Sequence, residues 1–459
     1  MPPWLGCVPW CRADKDVTVS KGMRFALWMA VLWMLLPLGL LRLPLWNWPI
    51  PDWPLLTGVI VGFVFAFALG GTVGIGLANW MQPRSADAGL ARPLAGPDQG
   101  MVRLVFMITI VMNALTLVSR AGFNPFNCGN ILECSNAAYQ GYVEGSLAGE
   151  GALFEYMRIL MAPVIYAGLA MSIWCVMFEE GKNVRGLAVL VILSEIVISI
   201  ATGTSRSIAN VLIFGIFVRS IKSFVVESTR IKTSSILLYI FGSIVMSILF
   251  FLYFSFLQIN REGFVAAVGI LPFNGDYIEA WSFQTGNESF LLKGLESVVR
   301  YLCTGYFSLS LGLGLTPGQS FPLGSSMFLA QRAKLGGDDS FITHSLPGQI
   351  ESHFGWSYLQ QWHSLFAWLL SDYSFAAVAF IMALLGFIFS LSAYVALTQR
   401  GAFAKLPFFM MFIVVLYVPA NNQIFQAPET ALAFLAAILV LLFKLATGRS
   451  VAEGVARAA

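Results

Sequence analysis

"LLTGVIVGFVFAFALGGTVGIGLA", residues 55–78, runs for 24 residues without one charged side chain. A helix rises about 1.5 Å per residue, so this stretch outreaches the roughly 30 Å of hydrocarbon in a bilayer. Comparable apolar runs lie near 24–42, 102–119, 154–178, 186–205, 207–225, 234–257, 373–397, 406–423 and 428–447. Together they predict an all-α polytopic membrane protein of about ten transmembrane helices forming one domain over 1–459. The composition agrees: 58% of residues are hydrophobic and 11% charged, with a mean hydropathy of +0.76. A net charge of +3, dispersed along the chain, gives no footprint for nucleic acid.

Lys and Arg set the expected orientation, because cytoplasmic loops retain positive charge. Arg12, Lys15, Lys21 and Arg24 fall on one side, with Arg84, Arg92, Arg103, Lys182, Arg185, Arg219, Lys222, Arg400, Lys405 and Lys444. Both termini are therefore expected in the cytoplasm, and the first span is expected to stay as an anchor. Trp46, Trp48 and Trp53, interleaved with prolines, read as an interfacial turn on the opposite face. Two longer segments fall on that face, 120–153 and 258–371. The smaller holds Cys128 and Cys134, which an oxidising compartment would join. The larger closes with "WSYLQQWHSLFAWLL", expected as a helix on the leaflet surface or capping the bundle. Residues 83–100 read as a cytoplasmic linker.

Charges at membrane depth carry the chemistry. In "TGTSRSIAN", residues 202–210, Arg206 stands among Thr202, Thr204, Ser205 and Ser207. Only a dozen residues then lead to Arg219, about 18 Å of helix, which sets Arg206 below the outer surface. A guanidinium among hydroxyl donors suits phosphate oxygens, which accept its bidentate fork. Arg158, Arg261 and Arg300 are further candidates, each alternatively snorkelling to headgroups. Glu195 is expected either to pair with Arg158 or to relay protons. His344, His353 and His363 share the larger loop at spacings that make no helical metal pair, so no metal is expected. His353 or His344 could act as general base, with Glu351 and Asp276 as rivals.

From Arg300 the chain reads "RYLCTGYFSLSLGLGLTPGQSFPLGSSMFLA". Gly305, Tyr306, Phe307, Leu309 and Leu311, followed by the small-residue turn at 322–326, resemble the O-antigen and oligosaccharide repeat-unit polymerases of the Wzy type. "TGTSRS" is similar to the Arg-containing turn of these polymerases and of O-antigen ligases. The resemblance implies a bacterial inner-membrane glycosyltransferase of the GT-C class with a large periplasmic loop. Its substrates would be undecaprenyl-pyrophosphate-linked oligosaccharides, without cofactor or metal. Membrane lipids and a chain-length regulator protein are the other partners it suggests. Arg206, with Arg158, Arg261 or Arg300, would then hold the pyrophosphate, and His353, His344 or Glu351 would activate the acceptor hydroxyl. Tyr306, Trp281 and Trp356 would stack on sugars or pack at the interface. An O-antigen ligase, or a transporter using the same buried charges, are the alternative readings.

Overall fold

The computed structural model describes residues 10–81, 97–121, 152–178, 184–201, 204–225, 270–287, 289–316, 336–338, 340–358, 361–399 and 401–458, with scattered positions in 248–255 and 326–333. Arg261, Cys128, Cys134 and the turn at 322–325 lie outside the described residues. The long helices are α1 (Trp10–Leu40), α2 (Trp53–Met81), α3 (Pro97–Ala121), α4 (Ala152–Phe178), α5 (Arg185–Ala201) and α6 (Arg206–Val225). After a hairpin of β1 (Ile270–Phe273) and β2 (Asp276–Glu279) come the short α7 (Trp281–Thr285) and the long α8 (Phe290–Gly312). Short helices α9 (Ser340–Thr343), α10 (Leu346–Phe354) and α11 (Leu365–Leu370) precede α12 (Phe375–Thr398), α13 (Ala402–Tyr417) and α14 (Pro428–Ala458).

Six of these helices, α1 to α4, α12 and α14, are long and apolar enough to cross a membrane. The tenfold expectation is only partly met, for separate reasons. Helix α5 has 17 residues, α6 carries Arg206, Arg219 and Lys222, and of 234–257 only residues 248 and 251–255 are described. The span expected at 406–423 is instead the 16-residue α13 followed by a turn. Apart from Phe403, every residue of α13 is buried. A helix that is apolar all round belongs at the centre of a bundle, where it need not match the bilayer's thickness. Phe214 and Phe217 of α6 interlock there with Phe408, Phe409 and Phe412. Residues 97–100 of the expected linker are the first turn of α3.

Glycine makes the tightest seam. A Cβ on Gly70 of α2 would stand 1.8 Å from Ala383 O of α12, and one on Gly386 of α12 would stand 1.9 Å from Phe67 O. The two backbones therefore touch, which is how helices associate where lipid removes any hydrophobic gain. The opposite side of α2 exposes Val61, Phe65, Leu69 and Val73, a face that only hydrocarbon solvates cheaply. At the other end of α12, Lys405 is buried and donates to the carbonyls of Ala396 and Gln399, with its ammonium 4.4 Å from the Trp174 ring centre. A cation suits the negative end of a helix dipole, so a residue expected as a topology charge is an interior cap.

The described residues of 258–371, a segment expected as a loop, are built into the distal face, the end of the bundle where α1 finishes. Asn274 and Gly275 both have positive φ and close the hairpin as a two-residue turn. The hairpin is docked by Asn47 N to Glu279 O and Trp281 N to Leu45 O. Glu296 is fully buried on α8 and accepts from the backbone N–H and hydroxyl of Ser282, fixing the start of α7. From Cys303 to Gly312 every residue of α8 is buried, and Tyr306 Oη donates to Met34 O of α1 at 2.8 Å. Among the described residues of the expected surface helix, 365–370 are the helical ones, and all six are buried, so they plug the bundle and do not lie on the leaflet.

Candidate functional site

Arg206 opens α6, directly after the turn that leaves α5. Thr204 N donates to Ser199 O at 2.8 Å, and Ala209 N to Ser205 O at 2.9 Å, so the turn is closed before the helix begins. Opposite it, α13 ends at Tyr417 and the chain turns through 418–427 before α14. That turn is fixed three ways. Asn421 N donates to Tyr417 O, Leu365 N donates to Val418 O, and the Thr430 hydroxyl lies within 3.0 Å of the carbonyls of Gln423, Ile424 and Ala427. Gly305 of α8 lets the turn approach: a Cβ there would stand 2.2 Å from Pro419 O. The motif around Gly305 thus acts by packing the 418–427 turn into place.

The turn delivers an amide to the guanidinium. With its oxygen facing the cation, Gln423 accepts from Arg206 Nη1 at 2.9 Å and Nη2 at 3.1 Å, and its nitrogen donates to Gln426 Oε1 at 3.3 Å. Asn421 Nδ2 donates to Gln426 Oε1 at 2.8 Å, which anchors the far side of the cluster. Tyr166, Tyr417, Glu429 and Tyr301 lie within electrostatic range of the guanidinium. Tyr417 Oη in turn donates to Asn210 Oδ1 at 3.3 Å. Among the described residues no carboxylate stands within ion-pairing distance of Arg206. A half-buried cation held by a neutral amide keeps its full charge for a ligand.

A second polar layer adjoins it. Arg158 of α4 pairs with Glu429 of α14 at 3.6 Å. This corrects the expected pairing with Glu195, which instead accepts from Asn113 Nδ2 at 3.1 Å and feels Arg158 only through space. Asn113 and Ser207 together hydrogen-bond the carboxylate, leaving Arg158 to reach the start of α14. Tyr301 of α8 meets Trp362 edge-on, ring centres 5.0 Å apart, and Phe254 at 5.5 Å. Arg300 precedes Tyr301 and is half-buried on the same helix.

The proposed bases stand elsewhere. His344 and His353 are exposed at either end of α10, and Glu351 is half-buried between them. The described contacts do not bring these three to Arg206. His363 is a core residue: it shares a hydrogen bond with Ser308 Oγ of α8, and burial pushes its imidazole down to about 3, so it is neutral. Of the three aromatics that would stack on sugars or pack, two are packed. Tyr306 and Trp356 are 0% exposed, Tyr306 stacking on Phe366 and Trp356 meeting Phe307 edge-on, so neither offers a face to a sugar. Trp281 is 42% exposed beside the hairpin.

No family model, curated protein or solved structure matches the chain. The site therefore stands on its own geometry. Sequence reasoning missed Gln423, Gln426, Asn421, Tyr166, Tyr417 and Tyr301. The signal for half of them was present, since "ANNQIFQAPE" places four amides between two strongly apolar runs.

Proposed function

We propose that the protein is a membrane glycosyltransferase that polymerises polyprenyl-pyrophosphate-linked oligosaccharide repeat units, with its distal face in the periplasm. The observation that carries this reading is the Arg206 guanidinium, held by the Gln423 amide and not neutralised by a carboxylate among the described residues. Such a fork can grip two oxygens of a pyrophosphate at headgroup depth. A hydroxyl of the incoming repeat unit attacks the anomeric carbon of the growing glycan. The bond from that carbon to the pyrophosphate oxygen breaks, and the lipid pyrophosphate departs with the electron pair, its growing charge stabilised by Arg206. The proton of the attacking hydroxyl passes to a base, for which His353, His344 and Glu351 are candidates supplied by the distal segment.

Two substitutions test this without relying on one folded variant. Arg206→Lys keeps the charge but loses the planar fork, and Gln423→Glu keeps the shape but neutralises the cation. Each should lower glycan polymerisation by about 10²-fold or more while the protein reaches the membrane normally. Purified protein given lipid-linked repeat units should yield longer glycans. Transfer to a lipid A core would indicate a ligase, and movement without bond formation a transporter. Ordinary chain lengths from both variants would overturn the proposal.

A further inference from the structure

A groove of about 600 Å³ opens on the membrane-facing side of the α2–α12 seam. Its floor is Gly58 and Gly62, one helical turn apart, and a Cβ on either would meet nothing within 4 Å. One wall is Phe63 and Phe375, whose rings stack with centres 6.3 Å apart, and Leu55 forms the other. From Pro54 to Phe63 the groove follows ten residues of helix, about 14 Å, or half of a bilayer's hydrocarbon. It therefore runs through the leaflet on the distal face and ends near mid-membrane.

The mouth is acidic. Asp52 lines it and is exposed, its Oδ1 accepting from Leu55 N at 2.9 Å. Across Phe375, which lines both spaces, lies a second recess of about 200 Å³ containing Asp372, Tyr373 and Ser374. Among the described residues no Lys or Arg lines either recess. Asp372 is buried, so the exposed carboxylate that a headgroup meets is Asp52, and the nearest described cation is Arg42, whose guanidinium stands 4.7 Å over the ring of the neighbouring Trp53, outside the lining. An amine lying in the groove is therefore drawn to Asp52, and an anionic headgroup there is repelled by it. The groove is also too short and narrow for a transmembrane helix, which is about 10 Å across and needs several turns of contact.

We propose that this groove is a binding site for a membrane phospholipid with an amine-bearing headgroup, one chain lying over Gly58 and Gly62 and the amine at Asp52. The site is separate from the Arg206 cluster and selects against the anionic lipids that cluster attracts.

The test is lipid retention. Intact protein is extracted from vesicles of equimolar phosphatidylethanolamine and phosphatidylglycerol, and bound lipid is read by native mass spectrometry. Wild type should keep the ethanolamine lipid over the glycerol lipid by roughly three- to fivefold, the scale of one exposed charge pair. Gly58→Leu with Gly62→Leu should lose that lipid without a fall in melting temperature, because a Cβ at either position meets nothing within 4 Å. Asp52→Asn, which still caps α2, should keep a lipid but lose the preference. Equal retention of both lipids by wild type, preference surviving in Asp52→Asn, or the filled variant retaining lipid would each overturn the proposal. So would a dimer that Gly58→Leu dissociates, since that would give the groove to a second copy.

Discussion

Replacing Gly305 by Ala should destabilise the protein and impair the Arg206 site, although helix propensity argues the reverse. Inside a helix Ala is favoured over Gly by about 1 kcal/mol. At Gly305 the added Cβ would stand 2.2 Å from Pro419 O, 2.8 Å from Ser364 N and 3.1 Å from Ala420 O, all backbone atoms that cannot rotate away. The 418–427 turn must retreat by about 1 Å to restore contact distance, at an overpacking cost of about 1–3 kcal/mol. Gln423 lies in the same turn and moves with it, away from the 2.9 and 3.1 Å bonds to Arg206. A 1 Å misplacement of a positioning group costs about 10²-fold in rate. Gly76→Ala in α2 is the control, because its Cβ meets nothing within 4 Å. Melting in detergent should fall for Gly305→Ala and hold or rise for Gly76→Ala, and glycan length should shorten only for Gly305→Ala. A Gly305→Ala protein that melts at or above wild type and makes ordinary chains would refute the reasoning.

Gly386→Val should abolish accumulation in the membrane, since its Cβ would lie 1.9 Å from Phe67 O in the tightest seam; a normal level on an immunoblot counts against backbone contact there. His363 titrates near 3 when folded and near 6.5 when unfolded, so as pH falls below about 6.5 the unfolded chain takes up the proton first. Stability is thus full above 6.5 and declines by at most about 1.4 kcal/mol per pH unit down towards 3, a slope in melting temperature that His363→Asn should flatten. Lys405→Met should cost about 1–3 kcal/mol by removing the ammonium from the carbonyls of Ala396 and Gln399, and a neutral effect on melting would show that the cap contributes nothing.

The membrane helices were legible because hydrocarbon leaves an unbroken apolar signature, as in α2 and α12. Helix α8 was not, since Lys293, Glu296 and Arg300 interrupt its first half, and only tertiary contact buries the second. The Asn274–Gly275 pair carries a hairpin-turn signal of its own, but the strands on either side are only four residues long and leave no alternating pattern beside the long apolar runs. At the candidate site, Arg206 was visible as a charge in an apolar setting. Its partner Gln423 carries no charge and is brought near only by the Gly305 approach, which no local pattern reports. For Tyr306 and Trp356 the chain leaves stacking and packing both open, and burial favours packing. An aromatic residue in a distal segment looks available for stacking until the fold covers it.

The hydrogen bond from Tyr306 to Met34 spans 272 residues of chain. A ribosome adding about 5–20 residues per second needs roughly 14 to 54 s to make that interval. The first helix therefore enters the bilayer well before the segment that covers its distal half exists. Nascent chains arrested before residue 300 should present that uncovered surface to quality-control proteases, whereas chains released after residue 312 should begin to escape them. Biogenesis is thereby tied to late synthesis, and the first membrane segment reports on whether the distal third has been made.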